Sequence, residues 1–259
     1  MKHTNQHMGL TLAQRVNCQQ QNFKEILHKM SGVDGWRLFE DDGLLALAAP
    51  STVNFVNFVW GEPSLDNISK VKSFYENANF LWLTSEYNTV DNMVQNGFNL
   101  DGDAFFEMML DVEQYEALEI SSKVQVIIPQ TNSELDDWSK TAIQTFGCSD
   151  DEFKEFFYPL IKFALCIPIL VMYDGQSAGT AMVYCGQRTA GIYAMSTLEQ
   201  YRLKGCATAA VNACILIAKD KNLHNAVLYS SKIGEALYEK IGFIKTDIFQ
   251  EWCLKVNYT

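Results

Sequence analysis

One stretch in the second half of the chain constrains the fold more than any other. An apolar, β-prone run from Ala190 ends at Thr197, a short polar connection follows, and Gly205 opens a long amphipathic segment. These features predict a strand, a tight loop and a helix N-terminus. Such a corner brings several unpaired backbone N–H groups and the positive end of a helix dipole to one point, where a phosphate-bearing ligand fits.

The loop contains the spacing Arg202-x-x-Gly205-x-Ala207, whose small residues let the backbone approach a pyrophosphate closely. The amide donors from Leu203 to Thr208 are expected to point at the phosphates. Two other phosphate-binding patterns are absent, because the sequence has no G-x-x-x-x-G-K-[ST] and no G-x-G-x-x-G after a strand. A glycine at a helix start also occurs in many loops that bind nothing, so this hexad alone leaves that alternative open.

About thirty residues downstream, the sequence AVLYSSKIGEALYEKIGF supplies a second motif. It predicts a strand at Ala226–Ser231 and then a short helix that ends in Tyr238-x-x-x-Gly242-Phe243. The two motifs in this order resemble the GNAT superfamily of acyl-CoA-dependent N-acyltransferases. The resemblance covers the chain from Pro168 to Trp252.

The rest of the chain alternates helical and extended patterns without a low-complexity tract. The helix that ends at Phe146 has Asn132 or Ser133 as its expected N-cap. Helices are predicted over residues 12–30, 68–77, 90–96, 132–146 and 150–164, and strands over 36–40, 44–48, 54–60, 80–84, 104–112, 124–129, 169–173 and 178–185.

The first half echoes the second. Val90-Asp-Asn-Met-Val-Gln-Asn-Gly-Phe and Ala236-Leu-Tyr-Glu-Lys-Ile-Gly-Phe are both short helices that deliver Gly-Phe into a strand. We interpret residues 1–123 as a degenerate GNAT-like domain without the phosphate loop or the tyrosine, and residues 124–259 as the acetyltransferase domain. The predicted fold class is α/β, with two GNAT-like halves, mixed and mostly antiparallel sheets flanked by helices, and splayed strands in the C-terminal half.

The resemblance implies where a cofactor would bind. In the superfamily two neighbouring strands splay apart beside the pantetheine arm, which places the splay here between 190–197 and 226–231. The backbone at Met195 and Thr197 would then pair with pantetheine amides as an added strand does. An ordinary central strand is the alternative.

The predicted cofactor-binding residues lie on the strand, the loop and the following strand end: Met195, Ser196, Thr197, Arg202, Leu203, Lys204, Gly205, Cys206, Ala207, Thr208, Ser230 and Ser231. Arg202 and Lys204 either add positive charge near the phosphates or are solvated loop residues. Cys206 is interpreted as a small residue that fits, since direct transfer needs no thiol nucleophile. Ser230 and Ser231 either bond the cofactor or cap the next helix.

Tyr238 is the predicted catalytic residue. It lies one turn before Gly242-Phe243, where members of the superfamily place a tyrosine that protonates the leaving thiolate, and a tyrosine stays protonated at neutral pH. A tyrosine on an amphipathic helix is also often only a core residue. The sequence assigns no general base, because no Asp, Glu or His lies between Ala190 and Leu198; a base could act through water or come from the acidic first half, for instance Glu107.

The charge distribution argues against nucleic acid as a partner. The net charge is −11, and residues up to Gln125 contribute −9 of it, with 8 Lys and Arg against 17 Asp and Glu. Phosphate backbones need a basic surface. An acidic first half could attract a cationic amine, although acidity also simply keeps a protein soluble.

Composition sets further limits on the class of protein. No apolar run reaches about 18 residues and the start has no signal-peptide pattern, so we expect no membrane association. Seven cysteines without C-x-x-C spacing favour buried thiols, and hence a cytoplasmic location by elimination. Four histidines, three of them within the first 28 residues, form no metal-ligand pattern, and no metal is expected.

The sequence therefore predicts an N-acetyltransferase that moves an acetyl group from acetyl-CoA, as co-substrate, directly to an amine of a small molecule or protein. The alternative is a catalytically inactive GNAT-like module that binds acyl-CoA or regulates a partner. The missing base favours the alternative slightly, whereas the phosphate loop and Tyr238 favour the enzyme. The acceptor amine and the oligomeric state are left open.

Overall fold

The computed structural model describes residues 11–50, 57–76, 78–85, 90–163 and 165–254. Within them, twelve strands form one mixed sheet with seven α-helices packed around it. In chain order the elements are α1 (Leu12–Met30), β1 (Arg37–Asp41), β2 (Leu44–Ala48), β3 (Phe58–Trp60), α2 (Leu65–Tyr75), β4 (Leu81–Ser85), α3 (Val90–Gln95), β5 (Phe98–Leu100), β6 (Phe105–Asp111), β7 (Val124–Ile127), α4 (Asn132–Phe146), α5 (Asp150–Lys162), β8 (Cys166–Tyr173), β9 (Gln176–Cys185), β10 (Thr189–Thr197), α6 (Cys206–Asp220), β11 (Asn225–Ser230), α7 (Glu235–Ile241) and β12 (Ile244–Leu254).

The sheet is mostly antiparallel, as predicted. Its strand order is β1-β2-β3-β4-β12-β6-β11-β10-β9-β8-β7, and β5 pairs with β12 beside this path. Only the β3–β4 and β10–β11 pairs are parallel, and each of them is joined by a helical crossover, α2 in the first half and α6 in the second. The two halves therefore repeat one arrangement, and their strands merge into a single sheet.

The two halves exchange strands at the centre of this sheet. Strand β6 precedes residue 123, yet it lies between β11 and β12 of the second half. Strand β12 ends the second half and lies between β6 and β4. The sequence of β6, FFEMMLD, is an apolar run of the kind that a strand covered on both faces requires. The proposed boundary at 123/124 stays a prediction, and the strands on its two sides are interleaved.

Apolar side chains cover both faces of the sheet. On one face, α6 and α7 pack over β6 and β8–β11, and Phe106, Met108 and Leu110 of β6 belong to that core. On the opposite face, α1, α4 and α5 share a second core that includes Trp138, which donates a hydrogen bond from Nε1 to the Ala181 carbonyl (3.0 Å). A third core lies under α2 and α3 in the first half.

The predicted elements are largely confirmed, with local corrections. The helix start assigned to Asn132 or Ser133 was wrong, because Thr131 is the N-cap of α4 and forms a capping box with Glu134. The strand predicted over 54–60 begins at Phe58 among the described residues, and its residues 54–56 lie outside them. The helix predicted to reach residue 164 ends at Lys162, and residue 164 is likewise outside.

Candidate functional site

The parallel strands β10 and β11 separate part-way along their length. They pair from Thr189–Asn225 to Ile192–Leu228, and the pairing ends there although both strands continue. A bulge in β10 between Tyr193 and Ser196, with Ala194 in the left-handed region at φ +49°, turns the strand away. The splay predicted between residues 190–197 and 226–231 is present. In contrast, β3 pairs with β4 over all three of its described residues.

The open side of β10 carries unpaired backbone groups. The amide of Leu198 donates to the carbonyl of Ala178 on β9 (2.9 Å), and in an antiparallel pair every second residue faces the same neighbour. Ser196 therefore faces β9, while Thr197 directs its N–H and C=O groups toward the gap; Met195 lies inside the bulge, where this alternation is interrupted. Ser196 is 6% exposed and its hydroxyl lies 2.7 Å from that of Thr180, so its side chain is engaged inside the sheet.

The loop after β10 presents a row of amide donors. A short 3₁₀ turn (Glu199–Tyr201) leads to Leu203 at φ +60° and Gly205 at φ +86°, and α6 begins at Cys206. The first backbone hydrogen bond of α6 is donated by the amide of Ala209 to the carbonyl of Gly205 (3.0 Å). In this described stretch, the amides of residues 203–208 donate no backbone hydrogen bond outside helices and strands. These amides and the helix dipole are therefore available to an anion.

The side chains of this loop differ in what they offer. Leu203 is fully exposed, so only its backbone can contribute to binding. The Lys204 ammonium group lies 5.1 Å from the ring centre of Tyr173 and 5.5 Å from that of Tyr201, and this double cation–π contact holds a positive charge beside the amides. Arg202 is exposed. Ala207 and Thr208, in the first turn of α6, are half-buried.

Cys206 is unsuited to nucleophilic chemistry. Its side chain is 2% exposed, and burial raises the pKa of the thiol, with Lys204 acting weakly in the opposite direction. A thiol with a raised pKa carries little thiolate at neutral pH. This agrees with the interpretation of Cys206 as a small residue that fits the loop.

Tyr238 lies on α7, at the end of β11. The residue is 6% exposed, its ring packs edge-on against Phe243 at 5.8 Å, and burial raises the pKa of its phenol well above the ordinary value. Its hydroxyl has no hydrogen-bond partner among the described residues. The oxygen is nevertheless not one of the fully buried polar atoms that lack a partner. A Cβ at Gly234 would lie 2.9 Å from the Tyr238 ring and 3.1 Å from the Ser230 hydroxyl, so the tyrosine stands next to the strand end.

The two serines after β11 serve the local backbone. The hydroxyl of Ser230 is fully buried and donates to the Ser231 carbonyl (2.8 Å). The Ser231 hydroxyl accepts from the Gly234 amide (3.4 Å), and its carbonyl accepts the amides of Gly234 and Glu235. Of the two predicted roles, the capping of the turn into α7 is the one that these contacts describe.

The N-terminal helix covers the opposite face of the splayed strands. Asn22 donates to the Thr189 carbonyl (2.8 Å) and accepts from the Tyr193 hydroxyl (2.7 Å). A Cβ at Gly191 would lie only 2.1 Å from Oδ1 of Asn22, so glycine is required for this close approach. Sequence reasoning missed this contact, because α1 and β10 are about 170 residues apart and no local pattern joins them.

Glu107 lies near the separation of β10 and β11. From the sequence it is one example of a possible general base, and it is not assigned that role. It is completely buried on β6, opposite Tyr229 of β11, whose hydroxyl donates to its Oε1 (3.3 Å). Burial, followed by the negative charge of Asp247, raises the pKa of Glu107 from 4.5 to about 8. The available sequence signal was a lone glutamate inside the apolar run of β6.

This raised pKa predicts a pH-dependent stability. Because the folded state holds the Glu107 proton more tightly than the unfolded chain does, its contribution is present below pH 4.5 and is lost as the pH rises through about 8. Relative to Glu107→Gln, the wild-type melting temperature should therefore fall between pH 5 and pH 9. Thermal unfolding of both proteins across this range measures the difference, and parallel curves would contradict the assignment.

Nowhere in the described part of the chain do three or more His, Cys, Asp or Glu side chains gather in a way that could hold a metal ion. Among the helices described, none has the length and apolarity needed to cross a bilayer.

Residues 133–243 match the sequence model of the acetyltransferase (GNAT) family. This region runs from the start of α4 to the Gly-Phe after α7, so it contains β8–β11, the loop between β10 and α6, and Tyr238. Among curated protein sequences, none matches the chain.

Solved structures share the fold at low sequence identity. The chain is similar to a GCN5-related N-acetyltransferase from Kribbella flavida, with a TM-score of 0.70, 15% identity, and 97% of this chain and 98% of that one covered. A GCN5-related N-acetyltransferase from Sphaerobacter thermophilus has a TM-score of 0.65 at 13% identity, with 94% and 93% covered. A tandem GNAT protein from the clavulanic acid biosynthesis pathway has a TM-score of 0.60 at 10% identity, with 87% and 86% covered. The last of these confirms the predicted fold class of two GNAT-like halves.

Proposed function

We propose that the chain is an N-acetyltransferase of the GNAT superfamily that moves an acetyl group from acetyl-CoA to an amine, because residues 133–243 match the GNAT family model and the whole fold is similar to that of GNAT proteins. Direct transfer needs a bound thioester, a deprotonated amine and a proton for the departing thiolate. The first and third of these requirements have candidate residues in the C-terminal half.

The observation that carries the proposal is the open corner between β10, β11 and α6. The backbone groups at Met195 and Thr197 would line one side of the gap, and the amides of residues 203–208, which donate no backbone hydrogen bond outside helices and strands, would bind at its end. A chain of amides followed by a pyrophosphate, as in coenzyme A, matches this sequence of partners. Space is open where a side chain at Gly205 would begin, so the backbone is accessible there.

Charged and acidic groups flank the same corner. Lys204, fixed between two tyrosine rings, and exposed Arg202 would contribute positive charge near the phosphates. Tyr238 would supply the proton to the thiolate, since its raised pKa keeps the phenol protonated throughout the neutral range. The thioester supplies the activated acyl group, and the protein's part is to hold it and to move protons.

A direct assay tests the function. The purified protein is incubated with acetyl-CoA and a panel of small amines and amine-bearing peptides, free thiol is followed colorimetrically, and products are identified by mass spectrometry. We expect amine-dependent thiol release with equal amounts of amide. Coenzyme A binding without amine-dependent release from any panel member would favour the alternative of a non-catalytic binding module.

Replacement of Gly205 by Leu tests the donor site. A side chain there would occupy the open space before the amides, and the affinity for coenzyme A should fall at least tenfold, about 1.4 kcal/mol. Calorimetric titration with coenzyme A measures this loss.

Gly43→Leu is a matched control for Gly205→Leu. Gly43 has φ +82° against +86° at Gly205, and an added Cβ meets nothing within 4 Å at either position. Both variants should therefore lose about 1–2 kcal/mol of folding stability from backbone strain, whereas only Gly205→Leu should lose affinity. Equal affinities in the two variants would mean that the phosphates bind elsewhere.

The cellular setting and the acceptor complete the proposal. We propose a cytoplasmic location, which the buried thiols Cys166, Cys206 and Cys214 support, because such thiols persist in reducing compartments. The partners are acetyl-CoA and an amine acceptor.

A further inference from the structure

Buried polar atoms collect beneath α1, on the face of the sheet opposite Tyr238. Phe106 and Met108 point into the core that contains Tyr238, so Glu107 between them projects to the other face, because side chains alternate along a strand. There it meets the Tyr229 hydroxyl, and its Oε2 is buried without any partner.

Two further side chains around Glu107 have the same property among the described residues. Gln19 on α1 is 1% exposed, and neither its amide oxygen nor its amide nitrogen has a partner there. Thr246 on β12 has a buried hydroxyl that likewise has no partner. Gln19 lies near Tyr229 and lowers the pKa of that tyrosine, and Thr246 lies near Glu107 and lowers the pKa of that glutamate. Neither contact has hydrogen-bond geometry.

Buried polar atoms without hydrogen-bond partners destabilise a folded protein. Each buried donor or acceptor without a partner costs about 1–3 kcal/mol, and native proteins contain few of them. Here, donors and acceptors from α1, β6 and β12 are directed into one region, which a polar ligand would satisfy. Apolar packing accounts for none of these positions.

The group also lies at the split between β10 and β11. Glu107 is paired with Tyr229, and the next residue of β11, Ser230, stands beside the Tyr238 ring on the other face. The β10–β11 pairing ends at Leu228, one residue before Tyr229. Tyr238 and Glu107 therefore both lie near the end of β11, on opposite faces of the sheet.

We propose that the polar atoms under α1 form the acceptor site and that Glu107, contributed by the exchanged strand of the first half, is the catalytic base that deprotonates the acceptor amine. The proposal rests on the acyl-transfer function proposed above. The acidic side chains of Glu107 and Asp247 favour a cationic ammonium group, and the unpartnered atoms of Gln19 and Thr246 favour hydroxyl or carbonyl groups beside it. The substrate class is a small polar amine rather than an alkylamine.

The protons balance in this arrangement. An aliphatic amine is protonated at neutral pH and has no free lone pair. Glu107 takes one ammonium proton, the nitrogen lone pair forms a C–N bond to the acyl carbon, and the C–S bond breaks. Tyr238 donates its proton to the departing thiolate, and the second proton lost from nitrogen restores the Tyr238 hydroxyl. The products are an amide, a thiol and the proton held by Glu107.

Glu107→Gln keeps the shape of the side chain and removes the base. With an acceptor from the amine panel, kcat at pH 7 should fall by about 10²- to 10⁴-fold while the KM for acetyl-CoA is unchanged. In the wild type, kcat/KM should rise with pH and level off near pH 8, whereas the variant should keep rising as free amine accumulates. Among the described residues, the groups that face Glu107 are Asp247, Tyr229, Thr246 and Tyr193 on the strands, and Gln19 of α1 lies against Tyr229.

Glu251→Gln is the matched control. Glu251 is a half-buried glutamate that also has a raised pKa, of about 7, but it pairs with Leu83 on the first-half side of β12. We expect wild-type turnover and an unchanged pH profile in this variant. Full turnover in Glu107→Gln, or an equal loss in both variants, would overturn the role of Glu107.

A binding measurement separates this proposal from the proposed function. In the full chain with ¹³C-labelled glutamate carboxyls, ethanolamine should lower the pKa of Glu107, because a nearby ammonium stabilises its carboxylate. Propylamine should have a smaller effect and ethylene glycol none. A Glu107 pKa that ethanolamine does not move would show that only water satisfies these atoms and would overturn the site. A shifted pKa in a protein that transfers no acyl group would sustain the amine site and reject the acetyltransferase.

Discussion

Tyr238→Phe should lower kcat by about 10²- to 10⁴-fold at neutral pH while leaving the KM for acetyl-CoA almost unchanged. The substitution keeps the ring, and hence its edge-on packing against Phe243, and removes only the hydroxyl. Because that hydroxyl has no partner among the described residues, its loss should not destabilise the fold. Steady-state kinetics with an acceptor amine, together with thermal unfolding, measures both effects.

Tyr75→Phe provides the contrast for this variant. The Tyr75 hydroxyl is buried as well, but it donates to the carbonyls of Leu47 (2.7 Å) and Phe58 (2.9 Å) in the first half. Its removal should cost about 1–3 kcal/mol of stability without changing kcat. We therefore expect Tyr238→Phe to lose turnover but not stability, and Tyr75→Phe to lose stability but not turnover. If Tyr238→Phe turned over at the wild-type rate, Tyr238 would be a core residue and not the acid.

Residues 124–259 expressed alone should fail to show a cooperative unfolding transition. The fragment lacks β6, which pairs with all six residues of β11 and with much of β12. It therefore exposes two strand edges and removes Phe106, Met108 and Leu110 from the core. Each such side chain contributes about 2–5 kcal/mol, so the sum is comparable with the whole stability of a domain. Circular dichroism during heating tests this expectation.

A nicked full-length chain is the control for the fragment. A protease site inserted after Ser122, in an exposed part of the connection between β6 and β7, allows the backbone to be cut without removing either exchanged strand. The two pieces should stay associated through gel filtration and melt cooperatively. A monomeric 124–259 fragment that melts like the nicked protein would show that β6 is dispensable, and the boundary at 123/124 would then separate independent folding units.

The elements of this protein could largely be predicted from local patterns. The amphipathic spacing of Leu12–Met30 and the Gly-Phe signals after α3 and α7 identified helices because a helix face repeats within a few residues. The echo between the two Gly-Phe motifs also indicated the paired halves. Strand order could not be predicted, because the pairing of β6 with β11 joins residues more than 100 positions apart and no turn sets its register.

The candidate donor site was predictable for a similar reason. Gly205 and the loop before α6 form a contiguous segment whose backbone conformation follows from the glycine and from the helix that it starts. Ser196 and Ser231 illustrate the limit of such reasoning. They were predicted as cofactor-binding residues by proximity in sequence, and whether their hydroxyls are occupied by Thr180 and by the Gly234 amide depends on neighbouring segments.

The sequence by itself determined the helices, most strands, the loop that begins α6 and the position of Tyr238, because each depends on interactions within about twenty residues. Only the tertiary structure decided that α1 lies across β10, that β6 and β12 exchange places, and that Glu107 is buried beside Tyr229. The physical reason is that burial and the pKa of a carboxyl depend on every element around it. A glutamate within an apolar strand becomes a candidate base only when the other half of the chain encloses it.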